Sequence, residues 1–198
     1  MKVLLLNGSP NEKKCTYTAL STVAKELEEN GIDTEIFHID SLSVQKRISD
    51  GYEPEAVKEI IEKIKEADGF VFGSPVHYAG ISAVMKLFLD YFFWRQRALF
   101  SHKPAAVLVS CRRGGSTAAL EQLEKHIAHD HMPLISSGYW NMIHGNTVEE
   151  VLRDEEGIRT MKMIGRNMAW LLKCIEAGKK KGISLPEIER GNSTNFIR

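Results

Sequence analysis

The sequence predicts a doubly wound α/β domain, a five-stranded parallel sheet in the order 2-1-3-4-5 with helices on both faces. One observation carries this. Short apolar runs alternate with segments of helical periodicity along the whole chain. Such alternation requires crossovers that return the chain over a sheet, so the strands are parallel and both faces are covered. A second observation sets the size: 198 residues with no repeat, low-complexity tract or linker suit one domain.

The elements follow in order. Val3–Leu6 is a short apolar strand ending at Asn7-Gly8-Ser9-Pro10. From Thr16 to Asn30 the apolar residues Leu20, Val23, Ala24 and Leu27 share one helix face, and Gly31 stops the helix. Thr34–Ile39 is the second strand, and the polar stretch from Ser41 to Tyr52 reads as loop. Pro54 opens a helix with Val57, Ile60, Ile61 and Ile64 on its apolar face. Gly69–Gly73 is the third strand and Gly80–Phe93 a strongly apolar helix. Ala105–Ser110 is the fourth strand, with a helix from Gly114-Gly115 to about His129. Pro133–Ser136 is the expected fifth strand. Glu156–Ala177 forms the last helix, before a polar tail.

Composition narrows the function. Hydrophobic residues at 43% support a sizeable core, and a formal net charge of +0 advertises no polyanion-binding surface. The run Lys179-Lys180-Lys181 reads as a solvated helix end, so no nucleic-acid partner is expected. No apolar stretch approaches a membrane span, and Val3–Leu6 is too short for a secretory segment. Cys15, Cys111 and Cys174 are odd in number and far apart, which favours a reducing compartment over a disulfide framework. The expected location is the cytoplasm. In that compartment the sequons at Asn7 and Asn192 carry no meaning.

In open α/β sheets, ligands bind beyond the C-terminal strand ends where the strand order reverses. For this order the loops after strands one, three and four matter. The first, Gly8 to Thr18, is longer than usual and ends at a helix N-terminus, where free amides and the dipole attract an anion. Ser9, Thr16, Tyr17 and Thr18 add hydroxyl donors, as for a phosphate monoester. Simple N-capping by Thr16 is the plainer alternative. Neither a G-x-G-x-x-G fingerprint nor a G-x-x-x-x-G-K-[ST] loop is present.

The second loop is Gly73-Ser74-Pro75-Val76-His77-Tyr78-Ala79-Gly80. Tyr78 offers a flat surface for a ring, and backbone amides can read polar ring edges. The third is Ser110-Cys111-Arg112-Arg113-Gly114-Gly115-Ser116, with glycines for close backbone approach and arginines for negative charge. Cys111 beside Arg112 is either a ligand-lining residue or a reactive thiol. His126, His129 and His131 lack a carboxylate–histidine motif, so no metal is expected. Asp90, Glu121 and Glu124 read as solvated, and Tyr91-Phe92-Phe93-Trp94 as either core or subunit contact.

These loops resemble those of the NADPH-dependent FMN reductase family in the flavodoxin-like superfamily. Asn7-Gly8-Ser9-Pro10 with Thr16 is similar to the family's G-S-P-R-x-x-[GS]-N-T phosphate loop. Gly73-Ser74-Pro75-Val76-His77-Tyr78 is similar to its G-[ST]-P-x-Y stretch, and Met85-Lys86-Leu87-Phe88-Leu89-Asp90 to its L-K-x-[FW]-[IL]-D helix. The resemblance covers about residues 1–178, taken as the FMN-binding domain, with 179–198 as tail. It implies a flavodoxin-like fold and an oxidoreductase with FMN as cofactor and NAD(P)H as donor.

By the same resemblance Ser9, Pro10, Asn11, Cys15, Thr16, Tyr17 and Thr18 belong to the phosphate loop. Ser74, Pro75, Val76, His77 and Tyr78 border the isoalloxazine ring, and Ser110, Cys111, Arg112, Arg113, Gly114 and Gly115 close its other side. It implies a homodimer or tetramer and a small-molecule electron acceptor. Two departures stand out: Asn11 where the family often has arginine, and Cys15 where it often has asparagine. The segment from Ser41 to Tyr52 also lacks the cysteine cluster of related iron–sulfur flavoproteins.

The chemistry then belongs to the flavin, with no obligatory protein acid or base, and Arg112 or Arg113 stabilises developing negative charge. The rival reading is an FMN-binding electron carrier or regulatory flavoprotein without turnover. A hydrolase or thiol protein using Cys111 is a third.

Overall fold

The computed structural model describes residues 1–39, 55–189, 194 and 196. Strands β1 (Lys2–Asn7), β2 (Asp33–His38) and β3 (Gly69–His77) are followed by the two-residue β4 (Gly80–Ile81), then β5 (Ala105–Cys111) and β6 (Met142–His144). The parallel order is β2-β1-β3-β5-β6, with β4 antiparallel to the end of β3. That is the expected 2-1-3-4-5 arrangement. Parallel register sets Asn7, His38, Gly73 and Leu108 level, so the C-terminal ends of these strands share one edge of the sheet.

Strand alternation divides the core into two layers. Leu4, Leu6, Phe70, Phe72, Val107 and Val109 face one side, under α2 (Glu55–Glu66), α3 (Ala83–Arg95) and α4 (Ser116–His129). Val3, Leu5, Val71, Ala106 and Leu108 face the other, under α1 (Cys15–Glu29) and α6 (Glu155–Lys180). The period of two in the strands therefore selects which helix each side chain meets. Phe72, Phe93 and Phe100 interlock on the first face, Phe93 stacking on Phe100 at 4.7 Å. Tyr91, Phe92 and Phe93 are thus core, whereas Trp94 is exposed.

Three expectations need correction. The fifth strand is not Pro133–Ser136, which makes a single bridge from Leu134 to Ala105. The ladder along Val109, Ser110 and Cys111 is taken by Met142, Ile143 and His144 instead. Between the two, the chain leaves the sheet edge through Gly138 at φ 98°, leaving Tyr139 and Trp140 exposed.

The apolar helix does not begin at Gly80. Gly80 and Ile81 pair back onto His77 and Val76 through a Tyr78–Ala79 turn, and Ser82 caps the helix by accepting from the Met85 amide. The third strand accordingly runs on to His77. The short helix α5 (Val148–Arg153) was not anticipated, although Thr147 accepts from the Glu150 amide in the capping pattern.

The polar stretch expected from Ser41 to Tyr52, and Pro54, lie outside the described residues. The last helix passes through Gly178 to Lys180.

Candidate functional site

The loop after β1 is held by its own backbone and by neighbours. The Asn7 side chain accepts from the Ser9 amide at 3.1 Å and donates to the Glu12 carbonyl at 2.8 Å. The Gly8 amide donates to the Gly73 carbonyl, and the Ser82 hydroxyl donates to the Gly8 carbonyl at 2.5 Å. Ser9 is buried, and its Oγ accepts from the Asn11 amide at 3.1 Å. That leaves the Ser9 hydroxyl proton for a ligand.

Helix α1 then starts at Cys15 with Lys14 as N-cap and no side-chain cap. Its first amides are therefore uncapped, and the positive end of its dipole faces outward. Thr16 is buried and shares a 2.8 Å hydrogen bond with Ser110 at the end of β5. One hydroxyl of this pair donates to the other, leaving a single proton for a third partner. Helix α4 likewise starts without a side-chain cap, after Gly115 at φ 89°.

A cleft of about 300 Å³ opens at this sheet edge. Of the expected residues, Ser9, Asn11, Cys15, Thr16, Pro75, Val76, Ser110 and Arg112 line it. Lys14, Gly145 and Asn146 line it too and were not anticipated. Gly145 and Asn146 follow β6, so placing the fifth strand at Pro133 hid them. Lys14 was visible inside the first loop.

Among the described residues, the lining carries two cations, several hydroxyls and amides, and no carboxylate. Burial pushes the Cys15 thiol up, so it stays neutral and adds no repulsion to an anion. Two larger grooves, about 350 and 440 Å³, flank α1 but contain Glu26 and Glu29, or Glu12 and Glu28. Those carboxylates oppose a phosphate.

The structure does not bring every expected residue to the cleft. The Thr18 hydroxyl donates to the Lys14 carbonyl at 3.1 Å, and Thr18 and Tyr17 line the two grooves flanking α1. Pro10 is exposed. Ser74 is fully buried, donating to the Pro75 carbonyl and accepting from the Ser82 amide, both at 2.9 Å.

His77 and Tyr78 stand exposed on the hairpin, with Tyr78 and Ala79 at φ 50° and 59°. Cys111 is buried and donates its thiol to the Gly114 carbonyl at 3.1 Å, which turns it from the cleft. Arg113 and Gly114 are exposed outside the lining, and Gly115 caps α4. Among the described residues, no group of three or more His, Cys, Asp or Glu is placed to hold a metal.

A cleft with two cations and an uncapped helix start, bordered by Pro75 and Val76, suits the phosphate monoester of FMN. The sequence pattern of the family described as NADPH-dependent FMN reductase matches residues 1–147. The chain belongs to the NADPH-dependent FMN reductase family.

FMN and NAD(P)H are the family's cofactors, so this member is an FMN-dependent NAD(P)H oxidoreductase. It is similar to an iron–sulfur flavoprotein of Methanocaldococcus jannaschii, 26% identical over 196 residues, 89% of this chain and 100% of the relative. It is also similar to an FMN reductase (NADPH) of Escherichia coli, 28% identical over 122 residues, 61% of this chain and 60% of that protein. A WrbA-like flavodoxin of Agrobacterium tumefaciens superposes with a TM-score of 0.65 at 17% identity, covering 87% of this chain and 98% of the other. That last likeness shows the flavodoxin-like fold. Among the described residues, no helix of this family member is long and apolar enough to cross a membrane.

Proposed function

We propose that the chain passes electrons from NAD(P)H through FMN to a small planar acceptor such as a quinone, a free flavin or an azo compound. The lining over the α1 start, with its two cations and, among the described residues, no carboxylate, carries this reading. Ser9, Thr16 and the first amides of α1 hold the phosphate, and Lys14 neutralises it. Pro75 and Val76 border the ring. Arg112 supplies positive charge at the cleft where negative charge develops. The flavin, when bound, supplies hydride acceptance at N5.

His77 and Tyr78 are exposed on the hairpin that follows Pro75 and Val76, where a second planar molecule would approach the ring. An azoreductase of Bacillus sp. is 29% identical over 129 residues, which supports this acceptor class. The exposed Trp94 and the Tyr139–Trp140 pair support assembly as a homodimer.

The test is anaerobic addition of NADPH to the FMN-loaded protein, followed by a quinone. Bleaching of the flavin bands on NADPH and their return on quinone are expected. Flavin that stays oxidised while NADPH persists contradicts the reading and leaves an electron carrier.

A further inference from the structure

We propose that His38 is a positioning residue of the phosphate loop, a role that rests on the FMN reading above. His38 ends β2, directly across the ladder from Asn7. Its Nε2 lies 2.8 Å from the Ser9 carbonyl oxygen. A carbonyl only accepts, so the proton must sit on Nε2 and the ring donates.

His38 is not part of the cleft lining, whereas Ser9 is. The bond therefore draws the Ser9 carbonyl toward β2 and out of the cleft. This orientation matters for an anion. A carbonyl oxygen turned inward would place a partial negative charge against the phosphate.

The other polar groups of Ser9 are already assigned. Its amide donates to Asn7 Oδ1 and its Oγ accepts from the Asn11 amide. With the carbonyl fixed by His38, the hydroxyl proton is the group Ser9 has left for a ligand. His38 thus selects which face of Ser9 the cleft presents, without touching the ligand. The loop sequence alone hides this, because His38 lies 29 positions from Ser9.

The experiment compares FMN with riboflavin, which lacks the phosphate, by fluorescence titration of the apoprotein. His38→Leu keeps bulk and removes the donor, and His38→Gln keeps an N–H at similar reach. His38→Leu should weaken FMN about tenfold, the scale of one hydrogen bond, and leave riboflavin unchanged. His38→Gln should restore most of the FMN affinity. Equal weakening of both ligands, or no weakening, overturns the proposal. Loss of folding in both variants, read by circular dichroism, makes His38 a stability residue and also overturns it. A wild-type chain that holds FMN no tighter than riboflavin removes the phosphate reading itself, before any variant is made.

Discussion

At the scale of single residues, the cleft depends on hydroxyls that are satisfied without being used up. Thr16 and Ser110 come from sequence positions 94 apart and share one 2.8 Å hydrogen bond in a buried setting. This bond fastens the first turn of α1 to the end of β5. Removing one partner strands the other, so Ser110→Ala should lower unfolding stability by about 1–2 kcal/mol. Urea denaturation of the apoprotein measures it, and an unchanged midpoint would show that the bond adds nothing.

At this scale the sequence showed which residue types stand in the first loop, and Ser9 and Thr16 do line the cleft. The hydroxyl-rich loop ahead of a helix pointed to Ser9 and Thr16. The partners of those hydroxyls were not legible, because a sequence shows donors but not directions. Thr18 illustrates the difference, since its hydroxyl turns back to the Lys14 carbonyl within the helix. Cys111 does too, its thiol being spent on Gly114.

At the scale of elements, close approach between α1 and α6 shapes one face. A Cβ at Gly165 would stand 2.8 Å from Glu26 Cβ and 3.1 Å from the Val23 carbonyl. In an exposed helix, alanine in place of glycine stabilises by about 1 kcal/mol. Here the clash opposes it, and Glu26 is fixed by Arg166 Nε at 2.7 Å. Gly165→Ala should therefore destabilise, by about 1–3 kcal/mol net. A thermal midpoint equal to or above wild type would mean that the helices part freely.

A second element-level device joins β1, β2 and α2. Glu35 meets Lys2 at 2.9 Å and Lys63 at 2.6 Å. Burial alone would push the Glu35 carboxyl up, but its bonds to Lys2 and Lys63 outweigh this and hold it below the usual range. A carboxyl depressed in the folded state contributes its stability above the unfolded value of about 4.3, and loses it as pH falls through the folded value. The drop in urea midpoint from pH 6 to pH 3 should thus be smaller in Glu35→Gln than in wild type. Equal drops would remove Glu35 from the acid response.

Elements with long periodic runs were the most legible, since α1 and α6 each bury one continuous apolar stripe. The fifth strand was not. Pro133–Ser136 has strand-like residues, but the competition for the β5 edge is tertiary and Met142–His144 wins it. The β3–β4 hairpin was hidden for another reason: its turn uses Tyr78 and Ala79 at positive φ, where glycine or asparagine is the usual signal.

At the scale of the whole molecule, the doubly wound topology decides where chemistry occurs. Parallel strands with the order reversing between β1 and β3 open a crevice there, and the uncapped start of α1 lines it. The alternation of strands and helices made this legible before any side chain was placed. The proposed function requires that the crevice hold FMN by its phosphate at the start of α1. A crystal structure of the FMN complex tests it most directly. The phosphate should lie within hydrogen-bond reach of Ser9, Thr16 and the first α1 amides, with the ring toward Pro75 and Val76. A phosphate seated elsewhere, or the ring occupying that helix start, would contradict it.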